Sequence, residues 1–115
     1  MKKLPAAVAA AAQAALDKKA EHALALDLRP VADFTDYFLI LTGQNQRQLV
    51  AIADAVTETL RGSGLRPAHV EGYPRQEWIL LDYGDFVVHV MTPKSRAFYD
   101  LERLWGGSLR LEVTG

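Results

Sequence analysis

The amino-acid sequence predicts an α+β (layered α/β) domain in which a mixed five-stranded sheet is flanked by helices. Two observations lead to this fold class. Strand-like apolar segments alternate with stretches of helical spacing, and the order is helix, strand, strand, helix, three strands, helix. The chain has 115 residues, of which 50% are hydrophobic and 23% charged, so one domain spanning 1–115 is expected to bury a core of its own. With no cysteine, the chain has no disulfide framework and no thiolate nucleophile.

The N-terminal segment predicts a helix at about 6–20, because Ala is the strongest helix former and Pro5 suits a first helical turn. Lys2 and Lys3, followed by the Ala-Gln-Ala at 12–14, imitate a secretory signal. The pattern nevertheless continues into charged residues without a break, which favours a small amphipathic helix. No stretch approaches the ~20 apolar residues of a membrane span. The lack of a convincing transit segment favours a bacterial cytoplasm over an organelle.

Two strands and a long helix follow. The leucines of 24–28 alternate with the two-residue period of a strand, and the apolar run 37–42 is typical of a central strand covered on both faces. Asn45 and Gln48 have the spacing of a capping box, so a helix is expected to start there. It continues with helical apolar spacing as far as the Gly-Ser-Gly at 62–64.

The second half of the chain predicts three short strands and a last helix. The strand-like segments lie at 67–71, 77–82 and 86–91, and a tight turn at 83–85 joins the last two into a hairpin. The helix is expected at about 94–104, with one stripe formed by Phe98, Leu101 and Trp105. The tail, 106–115, predicts no element and is loosely specified.

Candidate metal and acid-base residues form no specific pattern. The formal net charge is -1, and the arginines, Arg96 among them, are interspersed with acids and are interpreted as a solvated surface. Because no basic stripe emerges, sequence-specific nucleic-acid binding is not expected. The turn aspartates, which include Asp82 and Asp85, are interpreted as bonding their own backbone. His89 is interpreted as half-buried and satisfied by a neighbour, and no catalytic residue, metal or cofactor is predicted.

Large aromatic side chains concentrate in the second half, close to acidic residues. Tyr and Trp are favoured at interfaces because they combine a large contact area with a polar group, but the same residues also pack cores. In the strand at 77–82, Trp78, Leu80 and Asp82 share one face. The pattern leaves Trp78 open between core and interface, favours the interface for Tyr99 and favours the core for Trp105.

Six blocks carry a resemblance that covers nearly the whole chain, from about Lys2 to Trp105. In chain order they are Asp36-Tyr37-Phe38, Arg47-Gln48, His69-Val70-Glu71-Gly72, Trp78-Ile79-Leu80-Leu81-Asp82-Tyr83-Gly84-Asp85, Val87-Val88-His89 and Phe98-Tyr99-Asp100-Leu101-Glu102-Arg103-Leu104-Trp105. In this combination and order the blocks resemble the Iojap/RsfS family of ribosomal silencing factors.

The resemblance implies a nucleotidyltransferase-like fold, which agrees with the element order above. It also implies a function without catalysis. Members of the family bind large-subunit ribosomal protein fourteen on the face that meets the small subunit, block the joining of the two subunits and so repress translation. Steric occlusion of this kind requires only that binding to the free large subunit cover surface that the small subunit needs.

The implied fold also raises the alternative of a nucleotide-binding or nucleotidyltransferase-like enzyme. Active nucleotidyltransferases resemble one another in a Gly-Ser pair after a strand and a carboxylate pair on a following strand. Here Gly43 is followed by Gln44, and the segment 67–71 offers Glu71 alone. No phosphate-binding glycine motif is present either. A self-associating binding module is a further alternative, and a homodimer is compatible with ribosome binding.

The resemblance places the expected partner surface on the hairpin and the last helix. Because ribosomal proteins are mostly basic, a patch of acids and aromatic rings can pair with Lys or Arg while its rings bury apolar area. The alternative role for the same residues is maintenance of the fold. The predicted partner-binding residues are Trp78, Leu80, Asp82, Tyr83, Tyr99 and Glu102.

Overall fold

The computed structural model of the chain describes residues 4–113. The elements are α1 (Ala6–Asp17), β1 (Glu21–Asp27), β2 (Tyr37–Thr42), α2 (Gln46–Gly62), β3 (His69–Glu71), β4 (Trp78–Asp82), β5 (Phe86–Met91), α3 (Pro93–Tyr99), α4 (Leu101–Leu104) and β6 (Leu109–Glu112). The strands form one sheet in the order β3-β4-β5-β2-β1-β6. Because β2 and β5 are parallel and the other neighbours are antiparallel, the sheet is mixed, and the predicted α+β fold class is confirmed.

The predicted count of five strands is wrong, because the described chain forms a six-stranded sheet. The additional strand, β6, lies in the tail for which no element is predicted. It pairs with β1, and its register sets Leu111 opposite Ala25 and Leu109 opposite Asp27. Four residues with two apolar positions are too short to show a strand period. Pairing with a strand from the other end of the chain therefore decides the conformation of this segment.

The single helix predicted at about 94–104 is also wrong, because α3 and α4 are separated at Asp100. This residue has φ 48° and ψ 58°, which is left-handed and cannot continue a right-handed helix. Asp tolerates this conformation better than most residues do. The break divides the predicted apolar stripe, so that Leu101 is buried and Trp105 partly buried, whereas Phe98 is 78% exposed.

Helices α1 and α2 cover one face of the sheet and pack on each other. The buried residues of α1 are Val8 and alanines, whose small side chains let the two helices approach closely. The predicted N-cap of α2 is confirmed, since Asn45 Oδ1 accepts a hydrogen bond from the Gln48 backbone N–H at 2.9 Å. Gln48 Oε1 in turn accepts from the Gln44 backbone N–H at 2.7 Å. Within residues 4–113, no helix has both the length and the apolarity to cross a bilayer.

The opposite face of the sheet carries a second apolar cluster with much thinner cover. Its buried members are Leu26, Leu28, Phe38, Ile40, Val87, Met91 and Leu101. Only the short helices α3 and α4 lie over this face among the described elements, and none of the residues of α3 is buried. Trp78, Leu80 and Trp105 are therefore only partly buried against the cluster.

Candidate functional site

A connected row of aromatic rings crosses the thinly covered sheet face. We call it the aromatic row, and neighbouring ring centroids in it lie 4.4–6.0 Å apart. Side chains that point to one face of adjacent strands are close enough for such ring contacts. The row consists of Phe34, Trp105, Phe38, His89, Trp78, Tyr99 and Phe98.

Both ends of the aromatic row are exposed. Phe98 is 78% exposed and Tyr99 50% exposed at one end, and Phe34 is 60% exposed at the other. Leu104, which is 69% exposed, lines a shallow depression together with Phe98 and Tyr99. Single exposed apolar side chains are ordinary, but a contiguous apolar patch is typical of an interaction surface. The exposed part of this face therefore has the character of a protein-binding surface.

The ring of Trp78 is fixed from beneath by His89. Trp78 Nε1–H donates to His89 Nδ1 at 3.0 Å, so the prediction that a neighbour satisfies this histidine is confirmed for Nδ1 alone. His89 Nε2 is buried without a hydrogen-bond partner among the described residues. His89 is buried, with 3% exposure, and not half-buried as predicted. Burial lowers the pKa of His89 to about 3, so the imidazole stays neutral at physiological pH and Nδ1 remains an acceptor.

Four of the predicted partner-binding residues border this same face. Trp78 and Leu80 lie on β4 and pack on the second cluster, and the Tyr99 ring lies 4.6 Å from the Trp78 ring. Glu102 lies on α4, two residues beyond the break, and forms an ion pair with Arg96 at 3.4 Å. The structure therefore brings a strand and two short helices together at one surface.

The other two predicted residues lie apart from it. Asp82 is at the far end of β4 from Trp78, and its Oδ1 accepts from the Gly84 backbone N–H at 2.8 Å, as expected for an aspartate in a turn. Tyr83 packs against the core on the α1 and α2 face, where its ring stacks on Phe86 at 4.9 Å. Burial raises the pKa of Tyr83. Neither side chain joins the aromatic row.

Three side chains of this surface were not predicted as partner residues: Phe34, Phe98 and Leu104. Phe34 had a detectable signal, because it is a large apolar residue within the polar turn 33–36. Phe98 falls in the predicted core stripe, and Leu104 shows no separate signal in a helix of mixed pattern. The sequence predicts a solvated surface residue at Arg96, yet its side chain is only 13% exposed.

The places where the resemblance would put nucleotidyltransferase chemistry have other contacts. The Gly43 backbone N–H donates to the Met91 carbonyl at 3.0 Å. The Gln44 side chain donates to Glu21. Glu71 is exposed on β3, where it pairs with His69 at 3.5 Å. Within residues 4–113, no three His, Asp or Glu side chains converge as metal ligands would.

Comparison with known proteins identifies the relatives of this chain. Residues 1–114 match the family model described as ribosomal silencing factor during starvation. The chain is 42% identical over 96 residues to the ribosomal silencing factor of Bacillus subtilis, covering 84% of this chain and 81% of that protein. Over 83 residues it is 31% identical to the mouse protein named mitochondrial assembly of ribosomal large subunit protein 1, covering 70% of this chain and 36% of the mouse protein.

A solved structure agrees with these matches. The crystal structure of a Chromobacterium violaceum protein superimposes with a TM-score of 0.87 and 33% sequence identity, covering 99% of this chain and 95% of that one. The sequence match and the shared fold extend over almost all of the chain. On this evidence the chain belongs to the ribosomal silencing factor family, RsfS/Iojap.

Proposed function

We propose that this protein binds the large ribosomal subunit through the exposed surface at the α3 and α4 end of the aromatic row. Binding there prevents the large subunit from joining the small one. The observation that carries the proposal is the contiguous exposed surface formed by Phe98, Tyr99 and Leu104 beside the fixed ring of Trp78. Family membership directs the search for a partner to the ribosome. The name of the mouse relative supports the large subunit.

The chemistry of this surface suits a basic ribosomal protein, and we take large-subunit protein fourteen as the partner, as the family resemblance implies. Full burial of an aromatic or aliphatic side chain contributes about 1.5–3 kcal/mol, so two or three of these side chains supply much of a stable interface. Asp100 lines the depression beside the rings, next to Arg103, and offers one carboxylate to a cationic group of the partner, whereas Glu102 is already paired with Arg96. Rigid rings also lose little conformational entropy on binding.

The mechanism that follows is steric occlusion without catalysis. A protein seated on the joining face of the large subunit competes with the small subunit by mass action, and no bond is made or broken. The contacts of Gln44 and Glu71 support a role without nucleotide transfer. The protein acts where free ribosomal subunits are, in the cytoplasm of a bacterium.

The first experiment is sedimentation of the purified protein with isolated large subunits, isolated small subunits and joined ribosomes. We expect it to sediment with free large subunits alone and to reduce the yield of joined ribosomes when small subunits are added afterwards. Binding to no subunit, or binding with normal joining, would contradict the proposal. A screen for nucleotide binding and for self-association would then test the two alternative classes.

A pair of surface variants tests which face binds. Tyr99→Ala and Phe98→Ala each remove an exposed ring, and we expect affinity for the large subunit to fall about tenfold or more, as at an interface hot spot. The matched control is Leu65→Ala, since Leu65 is 38% exposed but follows α2, away from the aromatic row. Equal losses in the control and in the ring variants would show that the aromatic row is not the binding surface.

A further inference from the structure

Helix α3 carries Tyr99 to its place over Trp78, but the helix has little to hold it there. It has seven residues, and none of these seven described residues is buried. Thr92 caps its N-terminus, because the Thr92 Oγ1 accepts from the Ser95 backbone N–H at 3.2 Å. A helix of this length is unstable on its own in water. Tertiary contacts must therefore fix the position of α3 on the sheet.

The strongest of these contacts come from one arginine on α3. Arg96 Nη1 donates to the His22 carbonyl at 2.6 Å and to Thr42 Oγ1 at 2.8 Å. Arg96 Nε donates to Glu102 Oε2 at 3.4 Å. The guanidinium thus connects α3 to β1, to β2 and to α4. Because the Arg96 side chain is 13% exposed and Thr42 is 2% exposed, solvent competes weakly for the bond between Arg96 and Thr42.

The irregular end of β1 is shaped to receive this arginine. The pairing of β1 with β2 shifts register between Glu21 and Leu24, and His22, within this bulge, has a left-handed φ of 50°. A bulge locally redirects the backbone of a strand. Here the carbonyl of the bulged residue accepts from Arg96. The backbone strain at His22 is thereby coupled to the placement of α3.

Arg96 has contacts on both sides of the helix break, one through its backbone and one through its side chain. Its carbonyl accepts from the Asp100 backbone N–H at 2.9 Å, which closes α3 just before the left-handed residue. Its side chain holds Glu102, which follows the break. Tyr99 lies between these two fixed points, one turn after Arg96. Glu102 Oε2 is thus engaged within the protein, and Oε1 is buried with no hydrogen-bond partner in the described part of the chain.

We propose that Arg96 is a positioning residue: it holds Tyr99 over Trp78 and so preforms the surface that docks on the large subunit, without contacting the partner itself. The inference rests on the proposed function, because the docking surface is the one named there. Glu102 then serves chiefly as the acceptor that orients Arg96. The result is a surface whose ring geometry is set before binding, which lowers the entropy cost of association.

The test compares Arg96→Ala with Arg66→Ala, which removes an exposed arginine from the segment after α2, away from the aromatic row. The first readout is the nuclear Overhauser contact between the Tyr99 ring and the Trp78 indole in the free protein. We expect it to be lost in Arg96→Ala and kept in the control. Thr42→Val, which removes one acceptor of Arg96 at nearly constant shape, is expected to weaken the same contact and is the second variant if Arg96→Ala fails to fold. Retention of the contact in the variant that folds would overturn the proposal.

The second readout is a double-mutant cycle on binding to isolated large subunits. If Arg96 acts through Tyr99, Arg96→Ala lowers affinity about tenfold in the wild-type background and has little effect in Tyr99→Ala. An equal loss in both backgrounds would show direct contact with the partner and overturn the positioning role. If the wild-type protein binds no large subunit, the proposed function fails, while the ring contact in the free protein still decides whether Arg96 positions Tyr99.

Discussion

Burial of His89 predicts that the protein loses stability as the solution becomes acidic. The imidazole is 3% exposed, and burial lowers its pKa from 6.5 to about 3. In the unfolded chain the same group takes up a proton below about pH 6.5. Between these two pKa values the unfolded state therefore binds more protons than the folded state. Stability is fully present above the unfolded pKa and falls as the pH decreases towards the folded one.

The size of the effect follows from the two pKa values. At pH 5, about thirty unfolded chains carry a protonated His89 for each that does not, whereas His89 stays neutral in the folded state. The free energy of unfolding is therefore about 2 kcal/mol lower at pH 5 than at pH 7. Because folded His89 stays neutral at pH 5, the folded protein keeps the hydrogen bond from Trp78 to His89 Nδ1. The loss of stability therefore comes from protonation of the unfolded chain.

Urea unfolding at pH 7 and at pH 5 measures the effect, with His89→Asn as the control. The Asn Oδ1 offers Trp78 an acceptor near the position of Nδ1 but does not titrate. We expect the wild-type protein to lose about 2 kcal/mol more than the variant between the two pH values. Equal losses would refute the reasoning. If the variant fails to fold, NMR titration of His89 in the wild type decides, and a folded-state pKa near 6.5 would refute it.

Three further predictions concern stability and are checked by thermal and urea unfolding. Gly72→Ala should destabilise strongly, because Gly72 has φ 98° and an added Cβ would lie 1.9 Å from the Trp78 carbonyl oxygen. Gly62→Ala should be harmless, because beyond its chain neighbours and its own helix backbone no described atom lies within 4 Å of the added Cβ. Asn45→Ala should lower the free energy of unfolding by about 1 kcal/mol, because it removes the side-chain cap of α2. An unchanged unfolding midpoint would contradict that capping role. Tyr83→Phe should be neutral or slightly stabilising, because Tyr83 Oη is buried without a partner among residues 4–113; a large loss would reveal a hydrogen bond at this hydroxyl.

The central parts of the fold were predictable because their signals are local. The apolar run of β2 indicates a strand covered on both faces, and all six of its residues are buried. The 3.6-residue period of α2 indicates one buried stripe, and the side chain of Asn45 fixes where the helix begins. In these segments, propensity, periodicity and capping agree with the tertiary environment.

The candidate site was only partly predictable. The alternation within β4 correctly placed Trp78 and Leu80 on one face, but the hairpin alone does not show that Tyr83 turns to the other face of the sheet. Arg96 has the sequence context of a surface residue, yet its partners come from β1 and β2, far earlier in the chain. No local pattern encodes such long-range hydrogen bonds.

The sequence by itself determined the α+β class, the main strands and helices, the aromatic character of the second half and the family resemblance, because each depends on residue type and short-range spacing. Only the tertiary structure decided the sixth strand, the break at Asp100, the burial of His89 and the assembly of the aromatic row. These features arise where one segment completes the hydrogen bonds or covers the apolar surface of another. Their energies are therefore set by partners that are distant in the chain.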